Sequence, residues 1–354
     1  MTKMAVMGVG AVGSYIGAFF SKQGYDIVLI DMWGDHVKEM QTNGISVKGC
    51  QGPFDTPVKA FHITDAMQFK EKFDVIFFAV KSYDTEWAAY FAKRLLKDDG
   101  VIVSNQNCMN DSLIASIVGY QRTVGCVMSS IQVALWKPGE VERGGLTGKE
   151  RDYVIFRIGE LNGMKTPRTE QLAEYFSCID LSTATSNIWG ERWAKLTVNA
   201  STNTLTAMSG LGAEKAAEYS SARKIQVEIA KESCQVGLAL NYMVEPVIGF
   251  SADKWTQADQ GDVFEELESV FLPGSGSKYK SSGDWKSSMA QDVHKNRKTE
   301  INFMNGFIAD QGLKAQVLTP INSAVTAVIR EIDSGKRLPT SDNFDEVLKL
   351  SGIA

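Results

Sequence analysis

The sequence predicts an α/β fold in which a doubly wound sheet over residues 1–186 is followed by an all-helical domain over 187–354. Three observations carry this. The first half alternates short runs rich in Val, Ile and Phe with amphipathic stretches, the alternation that a sheet covered by helices on both faces requires. A glycine-rich hexapeptide, GVGAVG (8–13), joins the first of these runs to the first amphipathic stretch. From about Ile188 onward the apolar residues recur mostly at helical spacing. A chain of 354 residues also exceeds one typical core, so two domains are the default.

Taken in order, KMAVM (3–7), DIVLID (26–31), DVIFFAV (74–80) and VIVSN (101–105) read as buried strands, bounded by Gly, Asp or Lys. Between the first two, AVGSYIGAFFSKQG (11–24) has helical periodicity and ends on glycine. RTVGCVMSSIQVAL (122–135), GEVERG (139–144) and DYVIFRIG (152–159) add strands, 169–178 a helix, and DLSTATSN (180–187) a link. In the second half, 214–240 reads as one long helix ending at Asn241. FLPGSGSKYKSSGDWKSS (271–288) is a Gly/Ser/Lys-rich loop, 288–312 returns to helix and stops at a glycine, and 320–335 is a helix opened by proline.

Composition narrows the function. The chain is 44% hydrophobic and 22% charged, with a net charge of −5 spread along its length, so no broad basic surface offers itself to nucleic acid or to anionic lipid. No run of about 18 apolar residues suits a membrane span, and MTKMAVMGVG lacks the features of an export signal. Small molecules are the expected partners and the cytoplasm the expected location. Five scattered cysteines (Cys50, Cys108, Cys126, Cys178, Cys234) and three histidines (His36, His62, His294) show neither a disulfide framework nor metal-ligand spacing, so no metal is expected.

GVGAVG fits the dinucleotide-binding pattern because a strand precedes it, a helix begins within it, and Asp31 ends the next strand. Gly8 permits the tight turn, Gly10 the approach of a pyrophosphate and Gly13 close helix packing, while the backbone of Val9, Ala11 and Val12 completes the loop. This is a Rossmann site. A carboxylate at Asp31 can accept from both adenine-ribose hydroxyls and repels a 2′-phosphate, which favours NAD over NADP; capping of the MWGD turn is its alternative use, and a FAD-type site is the alternative ligand.

WAKLTVNASTN (193–203) places Lys195, Asn199 and Asn203 four residues apart, on one slowly drifting face if helical. Pairing of Lys195 with Glu191 on a solvated face would also produce a lysine there, but asparagine is a poor helix former, and two in register with a lysine point to a polar ligand.

Together with GxGxxG, QN at 106–107 and SSMAQDVHKNRKTEINFMNG (287–306), this stretch resembles the 2-dehydropantoate 2-reductase (ketopantoate reductase) family over most of the chain, from residue 4 to about 330. The resemblance implies a Rossmann domain, a helical domain and an active site in the cleft between them. It implies Lys195 as general acid, Asn199, Asn203 and Ser288 as substrate-binding residues, and Glu300 as the acidic partner near lysine and substrate. Asn107 resembles the asparagine beside nicotinamide and substrate, and Lys81 a lysine lining the cofactor cleft. The chemistry is consistent: hydride arriving at a ketone carbon develops negative charge on oxygen, which an ammonium stabilises and then protonates. Burial would lower the pKa of such a lysine and a neighbouring Glu300 would raise it. An ion pair of Glu300 with Arg297 or Lys298 on a charged helix is the alternative for that residue.

The chain departs from the family at several points. QNCMN stands where QNGxG is common, so Cys108 and Asn110 replace glycines and the loop backbone or the pocket must differ. DMWGD lacks the basic residue that often binds the NADP phosphate, and Thr204 follows Asn203 where proline is commoner. Some tens of extra residues within about 242–286 could form a lid or an oligomer contact, leaving a homodimer open; Trp255, Tyr279 and Trp285 there are expected to pack this segment, with an aromatic pocket as the alternative. The expected activity is an NAD-dependent oxidoreductase acting on a polar ketone or alcohol, such as 2-dehydropantoate or a related hydroxy/oxo compound. A non-catalytic NAD(H)-sensing protein is the alternative, against which the Lys195, Asn199 and Glu300 set argues, and hydroxyacyl-thioester or opine chemistry lacks a His–Glu pair.

Overall fold

The first apolar run becomes the strand β1 (Met4–Met7) near the middle of an eight-stranded sheet, in a computed structural model that describes residues 2–275 and 286–353. The chain divides into two units, Met1–Ile188 and Trp189–Ala354.

In the first unit β2 (Ile27–Asp31), β3 (Ile45–Gly49), β4 (Phe54–Thr56) and β5 (Lys59–His62) follow β1. They precede β6 (Phe73–Phe78), β7 (Leu96–Ser104) and β8 (Thr123–Met128), and then β9 (Gln132–Lys137), β10 (Glu140–Gly144), β11 (Phe156–Glu160) and β12 (Ser182–Ala184). The main sheet has the order β12-β11-β8-β7-β6-β1-β2-β5 and is parallel except where β11 meets β8. Helices α1 (Ala11–Lys22), α2 (Gly34–Asn43), α3 (Ile63–Ala66), α4 (Thr85–Leu95), α5 (Asp111–Val118), α6 (Gly148–Arg151) and α7 (Pro167–Ser177) connect these strands. All four residues of β1 are buried: Met4 and Val6 pack into a core shared with α1 and α7, whereas Ala5 and Met7 face a second core shared with α4 and α5. A strand covered on both faces must be apolar throughout, which is why these runs lack alternation.

Two expectations are corrected. The link at 180–187 contains β12, which pairs in parallel with β11 (Phe156↔Ser182). The second half of the 122–135 segment and all of 139–144 leave the main sheet to form a separate four-stranded one, β4-β3-β10-β9, with strands at 45–49 and 54–56 that the sequence pattern did not show. Ser130, at φ 54°, turns the chain out of β8, and Gly49 crosses the β10 backbone where a Cβ would lie 1.9 Å from the Arg143 carbonyl oxygen. The small sheet is fastened from beneath by Arg143, whose buried guanidinium pairs with buried Asp180 and donates to Gln51 Oε1 at 3.2 Å. Losing either charge would strand the other away from water.

The second unit is helical among its described residues: α8 (Ile188–Ser209), α9 (Ala213–Ala217), α10 (Ser220–Ala239), α11 (Ala252–Thr256), α12 (Gly261–Ser269), α13 (Ser288–His294), α14 (Asn305–Ala315), α15 (Pro320–Asp333) and α16 (Asp342–Ser351). The single helix expected over 214–240 is two, because Tyr219 is extended and its ring lies 5.6 Å from Phe344 of α16. The helix expected over 288–312 is also interrupted. Asn296 at φ 50° ends α13, and Thr299 is drawn to Asp333 through its hydroxyl (2.8 Å) before a 3₁₀ turn at Ile301–Phe303 and α14, which runs past Gly312 to Ala315. Trp255 is fully buried, donates to the Val247 carbonyl at 2.9 Å and packs with Phe250 and Phe271, so it serves a core; Tyr279 and Trp285 lie outside the described residues.

A polar network runs through this unit. Glu232 of α10, 2% exposed, accepts from the amides of Ile321 (2.9 Å) and Asn322 (3.0 Å) at the start of α15 and from Asn322 Nδ2 (2.7 Å). Asn305 Nδ2 in turn reaches Asn322 Oδ1 at 3.1 Å and the Ala200 carbonyl of α8 at 3.4 Å. Burial pushes the Glu232 carboxyl up to about 7, against the pull of its three donors. A carboxyl raised on folding contributes stability that is complete below its unfolded value and is lost as pH rises through the folded one. Wild type should therefore lose on the order of 3 kcal/mol relative to Glu232→Gln between pH 4.5 and pH 7. Chemical denaturation across that window checks it, and parallel pH curves for the two proteins would refute it.

Candidate functional site

At the carboxyl edge of the main sheet the strand order reverses around β1: the chain runs outward through β2 to β5, then returns to β6 on the other side. Open α/β sheets bind ligands at such a switch point. The glycine loop sits there, and its three glycines have three different reasons. Gly8 is at φ 85°, and a Cβ on it would lie 2.7 Å from the Val80 nitrogen. A Cβ on Gly13 would lie 2.1 Å from the Gly8 carbonyl oxygen, so α1 packs directly on the turn. A Cβ on Gly10 meets nothing within 4 Å. Nothing in the protein itself requires glycine at that position, whereas a phosphate approaching the exposed amino end of α1 would.

Asp31 ends β2 beside this loop. Its carboxylate accepts from Val9 N (2.5 Å) and Trp33 N (2.8 Å), so it caps the MWGD turn and also holds the glycine loop. His36, buried on α2, completes the support by bonding to the Val9 carbonyl at 2.9 Å; the sequence offered it only as a histidine without ligand spacing.

Lys81 and Asn107 leave the same edge on neighbouring turns, after β6 and β7. Gln106 Nε2 donates to the Val80 carbonyl and to Thr85 Oγ1, both at 2.8 Å, and Asn110 Nδ2 donates to Ser82 Oγ and to the Asn107 carbonyl, both at 2.9 Å. The first three of these bonds rivet one turn to the other, and the fourth braces the turn after β7 internally. Cys108 adopts φ 66°, so the left-handed backbone that glycine would supply is retained without glycine, while Asn110 uses its side chain as a rivet that glycine lacks. A cleft of about 450 Å³, lined by Thr2, Asp74, Lys97, Arg168 and Tyr175, opens at the opposite edge of the strands and takes no part in this arrangement.

In the second unit α8 carries Lys195, Asn199 and Asn203 on one face, as the spacing predicts. This helix is buried along most of its length. Its hydroxyls are absorbed internally: Thr197, Ser201 and Thr204 donate to the carbonyls four residues earlier at 3.0, 2.7 and 2.6 Å. Thr204, where proline is commoner, thereby stays within the helix. Asn199 is 8% exposed and Lys195 half-buried, so the stripe is not a solvated helix face. The amino end of α13 is brought against it, since Ser287 Oγ donates to the Asn203 carbonyl (3.1 Å) and accepts from Thr206 (2.7 Å), setting Ser288 on the first turn beside Asn203. Glu300 is buried and precedes the segment whose Asn305 reaches Ala200. It lies outside any α-helix. Ser287, Asn305 and Asn322 are the supporting residues that periodicity alone did not reveal; the first two lay inside the 287–306 block without an assigned role.

Comparison with known proteins follows the same division. The family model described as ketopantoate reductase PanE/ApbA matches residues 4–153, and its C-terminal counterpart matches residues 187–333. A 2-dehydropantoate 2-reductase of Pyrococcus horikoshii is 26% identical over 341 residues, covering 94% of this chain and 98% of that protein. Among solved structures, a PanE/ApbA family ketopantoate reductase from Ralstonia eutropha aligns with TM-score 0.75 at 23% identity over 94% of this chain and 99% of its own. A ternary structure of D-mandelate dehydrogenase with NADH and anilino(oxo)acetate aligns with TM-score 0.76 at 22% identity over 95% and 100%.

The glycines separate binding from folding. Gly10→Ala should leave thermal stability within about 0.5 kcal/mol of wild type, because the added methyl meets nothing, yet abolish NADH binding. Gly13→Ala should instead destabilise by on the order of 2 kcal/mol or more through overpacking against Gly8. Melting curves with and without NADH distinguish the two, and a Gly10→Ala protein that binds NADH normally would contradict the assignment.

Proposed function

The chain belongs to the ketopantoate reductase PanE/ApbA family of oxidoreductases acting on CH–OH groups, and we propose that it passes hydride between NAD and a polar 2-oxo acid, or the matching hydroxy acid, with Lys195 as general acid and base. The observation that carries this reading is the stripe on α8. A lysine and two carboxamides share one face of a helix that is buried along most of its length and whose Thr197, Ser201 and Thr204 hydroxyls bond to its own carbonyls.

The nicotinamide, when bound, supplies the hydride. The residues of the chain do the rest. Lys195 stabilises the charge that develops on the carbonyl oxygen and delivers the proton there, and in the reverse direction it receives the proton of the alcohol. Asn199, Asn203 and Ser288 offer uncharged donors and acceptors suited to a carboxylate and hydroxyls. Glu300, buried in this unit, sets the charge balance around the lysine, and Asn107 and Lys81 border the reacting end of the dinucleotide. The glycine loop holds the pyrophosphate through the Gly10, Ala11 and Val12 amides and the amino end of α1, the Val9 amide being taken by Asp31.

Preference for NAD rests on Asp31, whose carboxylate stands at the end of β2 with no basic residue in the DMWGD segment. Substrates of the 2-dehydropantoate type are supported by the named relatives. The NADH and anilino(oxo)acetate held by D-mandelate dehydrogenase, a protein of the same fold, support a wider set of 2-oxo acids with bulky substituents.

Lys195→Ala should reduce kcat by about 10²–10⁴-fold while NADH affinity stays near wild type, the loss expected when one positioned acid is removed. Steady-state assays with a panel of 2-oxo acids check this, and retained turnover would refute the general-acid role. Asp31→Ala should lower the NAD-over-NADP ratio of kcat/KM by about tenfold or more, the scale of a lost charge-assisted hydrogen bond; an unchanged ratio would remove the ribose assignment.

A further inference from the structure

The geometry points to His36 as a positioning residue for dinucleotide binding, one that aims an amide of the glycine loop and ties that loop to the hairpin of the smaller sheet. This rests on the reading of residues 8–13 as the dinucleotide cradle.

His36 is fully buried on the first turn of α2. The Gly139 amide, at the turn between β9 and β10, points at its Nδ1 at 2.9 Å. An amide only donates, so Nδ1 is the acceptor and the ring proton sits on Nε2. Nε2 lies 2.9 Å from the Val9 carbonyl oxygen and 3.1 Å from Ser14 Oγ, so the ring N–H donates to this pair, with the carbonyl the nearer acceptor. Ser14 Oγ donates to the same oxygen at 3.0 Å. Burial lowers the proton affinity of the imidazole, so the neutral form that this pattern needs is also the favoured one.

Val9 is thus tied at both main-chain groups: its amide to Asp31 and its carbonyl to His36 and Ser14. The peptide is planar and trans, so holding the Val9 carbonyl toward His36 turns the Gly10 N–H the opposite way. Gly10 is the exposed residue of the loop, and it carries the open approach described above. His36 therefore aims an anion-binding amide outward, and through Gly139 it makes the smaller sheet part of the cofactor site's support.

Two substitutions separate the ring's two bonds. Asparagine places a carboxamide near the Nδ1 position and glutamine near the Nε2 position, so His36→Asn keeps the acceptor for Gly139 and loses the donor to Val9, while His36→Gln does the reverse. NADH dissociation constants, measured by fluorescence on the full chain without substrate, should rise about tenfold in His36→Asn and stay within about twofold in His36→Gln, the effect of one buried hydrogen bond. Ser14→Ala, which deletes the other donor to the same carbonyl, should raise the constant by about threefold on the same grounds. Wild-type affinity in His36→Asn, or equal losses in both His36 variants, overturns the proposal; if His36→Asn does not fold, wild-type affinity in Ser14→Ala does so. A wild-type protein that fails to bind NADH overturns the cradle reading and this inference together, whereas tight binding by wild type and all three variants overturns this inference alone.

Discussion

The first unit depends on a contact that tolerates no side chain: the helix α1 packs so closely on the turn after β1 that a Cβ at Gly13 would overlap the Gly8 carbonyl oxygen. That approach seats α1 on the sheet, buries Tyr15, Ile16, Phe19 and Phe20 in the core, and presents the helix's amino end at the edge where β2, β1, β6 and β7 all terminate. Helix and sheet placed in this way turn the first amides of α1, which have no carbonyl partner within the helix, toward the carboxyl edge of the sheet. Asp31, His36 and Ser14 then fix the one residue, Val9, whose side chain is buried while its backbone lines the loop.

The second unit solves a different problem. A helix bearing six Ser or Thr hydroxyls from Thr197 to Ser209 looks unsuited to a buried position. These hydroxyls bond to carbonyls of the preceding turn, which removes the cost of burying them. Outside the helix, Glu232, Asn322 and Asn305 form a buried chain that ends on the Ala200 carbonyl, between the two asparagines of the stripe. The backbone of the helix that carries the stripe is thus held by a buried chain of polar groups from α10, α14 and α15.

Much of this was legible in the sequence, for identifiable reasons. Strands buried on both faces announce themselves as continuous apolar runs, and β1, β2 and β6 were plain. The glycine loop and the four-residue spacing of α8 are local patterns with a fixed geometry, so the residues fell where spacing put them. The smaller sheet was not legible, because β3 and β4 are short and partly exposed, β4 pairs only with β3, and β3 meets its other partner, β10, about 90 residues away. Interruptions near Tyr219 and Asn296 were missed since both arise from tertiary pulls, on Phe344 and Asp333, that override helical periodicity. His36 escaped for a related reason: a histidine that bonds to main-chain groups 27 and 103 residues distant leaves no motif.

The central claim is that a dinucleotide on the glycine loop and the amine of Lys195 serve one hydride transfer. A crystal structure with NADH and a non-reducible 2-oxo acid analogue measures this directly. The account predicts pyrophosphate oxygens on the Gly10-to-Gly13 amides and Lys195 Nζ within about 3.2 Å of the analogue's carbonyl oxygen. A dinucleotide bound elsewhere, or a Lys195 amine beyond reach of that oxygen, would contradict it.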